Sequence, residues 1–288
     1  MRMKIGVYFW GCNKLDWQAF EYLLLTLNKT QSLFEFEVHS SEIFRKGPEI
    51  RGKVDFDSNI IFDQFKKALI LYRQEIQNIT SDPNTNFDQS GSSISEYAIA
   101  IIERKVKGEF YVVTDSPFAI ISIGDWRKKY APPSAVEFLL STIIGACVEL
   151  LDKENKISHH VATRGCLFDF NNSVNDAKNS VLIKYICSDC EDKIKNTFGE
   201  DFIKELKKIT DRDWIGNYND VGSVAYNLKR VFYYDLTKTR GFKASPMERI
   251  SQKFTETFAE TAAKTFFVII IVIIITVLGL KGLLQYIK

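Results

Sequence analysis

Hydrophobic and polar positions alternate with two periods along the first 150 residues. KIGVYFW (4–10) and LFEFEVH (33–39) read as strands, the second with a clear period of two. Between them DWQAFEYLLLTLNKT has helical spacing, with Asp16 as cap and Phe20, Leu23, Leu24 and Leu27 on one face. NIIFDQFKKALILYRQEIQNI (59–79) repeats that spacing, and SDPNTNFDQSGSS (81–93) is a loop of turn formers. Ser93-x-x-Glu96 has capping-box spacing and predicts a helix to about Val106. EFYVVTD (109–115) and AIISIGD (119–125) are short apolar strands. Pro132-Pro133-Ser134-x-x-Glu137 then opens the strongly apolar helix AVEFLLSTIIGACVELL. This order predicts an α/β (α+β) fold, a mixed sheet with packed helices.

Two more amphipathic helices follow, over 198–210 and 221–236. Ser245-Pro246-Met247-Glu248 is a helix start, with a capping Ser, Pro at the first helical position and Glu at the third. The helix is expected to run on through a stalk (245–264) that sets Phe254, Phe258, Ala262 and Thr265 on one face. Residues 265–280, TFFVIIIVIIITVLGL, are uncharged, and the stretch reaches Ile287 if Lys281 snorkels. A bilayer needs roughly 20 residues of helix, so 265–287 reads as a C-terminal transmembrane helix. The expected protein is tail-anchored and single-pass in the cytoplasmic membrane, with the bulk of the chain (a 1–240 domain) in the cytoplasm. Lys253 and Lys264 on the near side agree with that orientation, whereas Lys281 and Lys288 do not. The partners this implies are the membrane and a second copy, the latter through the stalk and transmembrane helix.

Composition narrows the chemistry. The chain has 288 residues, with 38 basic against 36 acidic and no long run of one sign, so no electrostatic footprint for nucleic acid is present. The N-terminus lacks the apolar core of a secretory signal. Five irregularly spaced cysteines without such a signal do not read as a disulfide framework.

Three of those cysteines nevertheless fall within residues 165–190, with His159 and His160, two of the chain's three histidines, just upstream. Cys187-x-x-Cys190 can present two thiolates to one metal from a tight turn, and Cys166 can fold back as a third ligand. His159 or His160 supplies the fourth. Such a set predicts one structural zinc per chain in a module over about 159–195, closed to water and without hydrolytic chemistry. The competing reading makes Cys166 a buried thiol and the other two incidental.

Other catalytic patterns are poorly supplied. His39 ends a strand and reads as a surface residue, so Ser/His/Asp chemistry lacks a base. Cys12 lies near a helix start whose dipole would activate a thiol, although a buried cysteine is the plainer reading. There is no Gly-x-Gly-x-x-Gly and no Walker motif. Asp169-Phe-Asn171-Asn-Ser173 opens like a calcium loop, but Val174 and Ser180 stand where that loop needs Gly and Glu. Asp115 and Asp125 end neighbouring strands and are a candidate carboxylate pair, or simply turn residues.

The strand pair, the capped helix, Cys166-x-x-Asp-Phe-Asn-Asn-Ser and then Cys187-x-x-Cys190 resemble the C-terminal half of the archaemetzincins, zinc metallopeptidases of the metzincin group, over about residues 94–195. The resemblance implies a zincin-like fold. It matches Cys166, Cys187 and Cys190 to the later three of that family's four structural-zinc cysteines, and His160 is nearest to replace the first. The family's His-Glu-x-x-His-x-x-Gly-x-x-His is missing from SAVEFLLSTIIGACVEL, where Glu137 is explained by the capping box and Glu149 has no evident partner. The Met-turn methionine is missing too, with Phe168 and Phe170 in that neighbourhood. The expectation is a membrane-anchored, non-catalytic zinc-binding pseudo-metallopeptidase, a sensor or effector of prokaryotic stress or defence that recognises a protein or small-molecule ligand. The alternative is a membrane-anchored hydrolase or peptidase with an unrecognised active site.

Overall fold

The computed structural model describes residues 2–12, 17–48, 57–80, 95–108, 111–124, 126, 130–154, 156–157, 159–161, 164–170, 174–241 and 244–286. Asp16, the 81–93 loop with Ser93, Asp125 and 171–173 lie outside them. The chain divides into two compact units, Met1–Lys243 and Ala244–Lys288.

The first unit begins β1 (Met3–Trp10), α1 (Gln18–Thr30), β2 (Phe34–His39), a one-turn α2 (Glu42–Arg45) and α3 (Ser58–Thr80). β3 (Tyr97–Ile102), β4 (Val112–Asp115) and β5 (Phe118–Ser122) complete the sheet, followed by α4 (Ala135–Leu151). Then come α5 (Val174–Ile183), α6 (Ser188–Phe198), α7 (Glu200–Asp211) and α8 (Val224–Val231). The five strands lie in the order β2-β1-β3-β5-β4. All pair in parallel except β4, which runs antiparallel to β5 at the sheet's edge. The fold is therefore mixed α/β, as the alternation of elements predicts.

Side-chain alternation along the strands feeds two cores. Ile5, Val7, Ile99 and Ile101 pack in one cluster with Leu23 of α1 and Leu139 of α4, while Tyr8, Trp10, Ala98 and Ala100 pack in the other with Phe65 and Leu69 of α3. That two-sided burial overturns the helix expected from Ser93 to Val106. YAIAII is buried at every position and hydrogen-bonded in register on both sides, with Ile99 opposite Val7 and Ala119. A short apolar run covered on both faces gains more as a central strand than the capping signal upstream offers a helix. His39 also departs from expectation. It is largely buried at the end of β2, stacked on Tyr8 at 4.8 Å and bonded through Nδ1 to the Tyr72 hydroxyl at 3.1 Å.

The capping box at the start of α4 is present. Glu137 N–H donates to Ser134 Oγ at 3.1 Å and Ser134 N–H to Glu137 Oε2 at 3.3 Å. α4 is buried on nearly all its faces and packs against β4 and β5, which fixes the floor of the region described below.

The second unit is α9 (Pro246–Tyr286), opened by the expected capping box between Ser245 and Glu248. Phe254 and Phe258 stack on its exposed surface with centroids 6.1 Å apart. The expected transmembrane helix over 265–287 is corrected, and with it the tail anchor and the single-pass cytoplasmic-membrane location. Among the described residues no helix is long and apolar enough to cross a membrane.

Candidate metal centre

After α4 the chain returns in a loop that makes two single-residue parallel bridges, His160 with Asp169 and Cys166 with Tyr185. Leu167 N–H donates to Tyr185 O at 2.7 Å and Phe170 N–H to His160 O at 2.8 Å. Gly165 allows the turn before Cys166. Its φ is +75°, and a Cβ there would lie 2.6 Å from Ile183 Cδ1. Cys187 is the N-cap residue of α6 and Cys190 lies in its first turn, so the Cys-x-x-Cys pair sits on a helix N-terminus, the positive end of the macrodipole.

These elements bring His160, Cys166, Cys187 and Cys190 together, with one donor atom from each and all four within 4.8 Å of one another. Nε2 of His160 lies 3.0 Å from Cys187 Sγ and 3.1 Å from Cys190 Sγ. Tetrahedral zinc with thiolate and imidazole ligands requires donor separations of about 3.5–3.8 Å, so a small contraction or expansion of the set accommodates the ion. No disulfide joins the three cysteines, all of which are buried.

The electrostatics favour a shared, partly deprotonated set. The hydrogen bond from Cys190, helped by the backbone N–H groups of Cys187 and Phe168 against the cost of burial, brings the Cys166 thiol down to about 6. Its partner Cys190 is pushed up by that same bond and by burial, so the pair holds its proton on Cys190. Nδ1 of His160 lies 2.8 Å from Asp169 Oδ1, and a carboxylate oxygen there must accept. The proton is therefore on Nδ1 and the lone pair of Nε2 faces the sulfurs, the tautomer that a metal ligand needs. Asp169 is itself buried, and its Oδ2 accepts from the backbone N–H groups of Arg164 (2.7 Å) and Cys166 (3.0 Å). The donor set, mostly soft thiolate, suits zinc better than a hard oxygen-seeking cation. The cluster can hold one metal ion, and the cofactor expected from the sequence fits it.

His159 points elsewhere. Its Nδ1 lies 3.2 Å from the carbonyl of Phe168 and its Nε2 lies 3.4 Å from Glu149 Oε1. Glu149 Oε2 accepts from the Thr114 hydroxyl of β4 at 3.2 Å. Burial raises the Glu149 carboxyl above its ordinary range, and His159 and Thr114 offset part of that rise. Both residues line a cavity of about 630 Å³ between β4, α4 and α5. No local spacing reveals a partner for Glu149, because its partners come from a strand and a loop that only the fold assembles. Asp169 carries one local signal, a carboxylate three residues after a cysteine ligand, in a stretch that opens with the spacing of a calcium loop.

The remaining candidates separate from this region. Asp115 pairs with Lys66 at 3.1 Å on the surface, and Asp125 lies outside the described residues. Cys12 is buried, donates to Ile101 O at 3.2 Å and has its thiol pushed up by burial, the plainer of its two readings. Glu137 does more than cap α4. It receives Arg212 Nη1 at 3.0 Å and Lys184 Nζ at 3.7 Å, while Arg212 Nη2 also reaches Ser141 Oγ at 2.9 Å.

Fold and site together define a mixed α/β domain with one buried Cys/His cluster able to hold a metal ion. No family model and no curated protein matches the chain. Among solved structures, the archaemetzincin of Methanopyrus kandleri is similar over 69% of this chain and 97% of its own, with a TM-score of 0.43 and 11% identity. At that distance nothing about activity passes from it to this chain.

Proposed function

We propose that this chain is a non-catalytic recognition module whose C-terminal loop is stapled by one zinc ion held by His160, Cys166, Cys187 and Cys190. The observation that carries the reading is the convergence of four donors from three segments within 4.8 Å. Four protein ligands leave no coordination position for water, so such a metal holds structure and activates nothing. α4, which packs on the sheet, brings Ala, Val, Leu and Ile inward and carries no histidine. The zincin-like resemblance is then one of architecture, with recognition in place of peptidase chemistry.

Elemental analysis of the full chain, purified without chelator, tests this. One zinc per chain that disappears in Cys187→Ser/Cys190→Ser is the expected result. A metal-free wild type with the fold intact would make the cysteines core thiols and end the proposal.

A second reading, a hydrolase with its own machinery, draws on the Glu149–His159 pair in the cavity. Hydrolysis of model esters or peptides that vanishes in Glu149→Gln would favour it. Against it, the hydroxyls lining α4 are engaged, Ser141 by Arg212 and Thr142 by the carbonyls of Phe138 and Leu139.

A further inference from the structure

The cavity between β4, α4 and α5 is separate in role from the metal cluster, and its chemistry is one-sided. Among the described residues that line it are two carboxylates, Glu149 and Asp169, and neither lysine nor arginine. His159 is the one basic group among the described lining residues, and it faces Glu149 at 3.4 Å, longer than a good hydrogen bond. Asp169 is already satisfied by His160 and the backbone N–H groups of Arg164 and Cys166. Glu149 accepts the Thr114 hydroxyl and keeps further lone-pair positions open, since an ionised carboxylate offers about four.

We propose that this cavity binds a small molecule with a primary ammonium head on Glu149 and an apolar body against Ala146, Leu167 and Val181. The reading deepens the recognition module proposed above and rests on it. A carboxylate held away from water gains most from a ligand that brings a compensating positive charge, and burial already raises the Glu149 carboxyl. An anion meets Glu149 and is repelled, while an alcohol brings a donor without the charge. At about 630 Å³ the space equals that of about 20 waters. An amine with an apolar body of about ten non-hydrogen atoms fits and keeps most of its surface covered.

The test is calorimetric titration of the full chain with three probes of one shape, 4-phenylbutylamine, 4-phenylbutanol and 4-phenylbutyrate. The amine is expected to bind, the alcohol about tenfold more weakly, and the carboxylate not at all. Glu149→Gln is expected to remove the preference of amine over alcohol. Gly145→Leu, which sends a side chain into the cavity from a point where a Cβ meets nothing nearer than Leu167 at 3.9 Å, is expected to weaken both. A circular-dichroism spectrum and thermal melt of each variant show that the domain is intact. Equal binding of the three probes, no binding of the amine, or unchanged amine preference in Glu149→Gln overturns the proposal. Wild-type chain without zinc overturns the staple alone, and the amine titration judges the cavity in either case.

Discussion

Asp169 accepts the Nδ1 proton of His160 at 2.8 Å, and that bond fixes which imidazole nitrogen faces Cys187 and Cys190. A carboxylate behind a ligand histidine raises its basicity and locks its orientation. Asp169→Asn should therefore weaken zinc about 10- to 100-fold, read by competition with a chromogenic chelator. Unchanged affinity would mean that His160 is oriented by the loop bridges alone.

The two adjacent histidines should behave oppositely. His160→Ala removes a donor from the cluster and should lose zinc and lower the melting temperature, whereas His159→Ala, whose Nε2 faces Glu149, should retain one zinc. Elemental analysis of the two variants decides it, and equal retention in both would remove histidine from the ligand set.

Glu137 is worth more than its cap. Losing an N-terminal cap costs about 1 kcal/mol, but Glu137 also neutralises the buried Arg212, whose guanidinium burial depresses to about 10. Leaving that charge unpaired brings the expected cost of Glu137→Ala to about 3–5 kcal/mol. Urea unfolding measures it, and a loss near 1 kcal/mol would show Arg212 finding other partners.

Lys184 predicts a pH dependence. Burial, with Arg212 adding to it, lowers the ammonium from 10.5 to about 8 despite Glu137 nearby. Between those values the unfolded chain holds the extra proton, so this group makes stability rise with pH from about 8 to about 10.5, and its full penalty stands below pH 8. Lys184→Met should remove that slope and stabilise the domain at pH 7 by about 2 kcal/mol. Denaturant midpoints of both proteins across the window test it.

Gly145→Ala should stabilise the domain by about 0.5–1 kcal/mol, because it removes a glycine from a helix interior. The added Cβ makes only an ordinary contact with Leu167 at 3.9 Å. A drop in melting temperature would mean that the methyl meets something the static geometry does not show.

Local rules carried much of the fold. The caps at Ser134 and Ser245, the helical face of Leu23, Leu24 and Leu27, and the strands at either end of α1 follow from spacing and end signals alone. β3 did not, because the same six residues suit a helix or a strand until two neighbours cover both faces. At the site, residue type and spacing drew attention to the cysteines and to both histidines. Sorting His160 from His159 needed the loop's path, since one ring turns to the sulfurs and the other to Glu149. Asp169, Thr114 and Arg212 act across 9 to 75 positions of chain, a range that no periodicity reaches.

The cluster also has a meaning for the chain as a polymer. With a metal bound, residues 160 and 190 are ends of one closed loop, and an open chain loses much of its freedom to separate them. A cross-link over about 30 residues confines the unfolded ensemble by about 3–4 kcal/mol on the loop-entropy scale used for disulfides. The segment between them should then open as one block, with amide protection from Cys166 to Cys190 lost in a single step when the ion leaves.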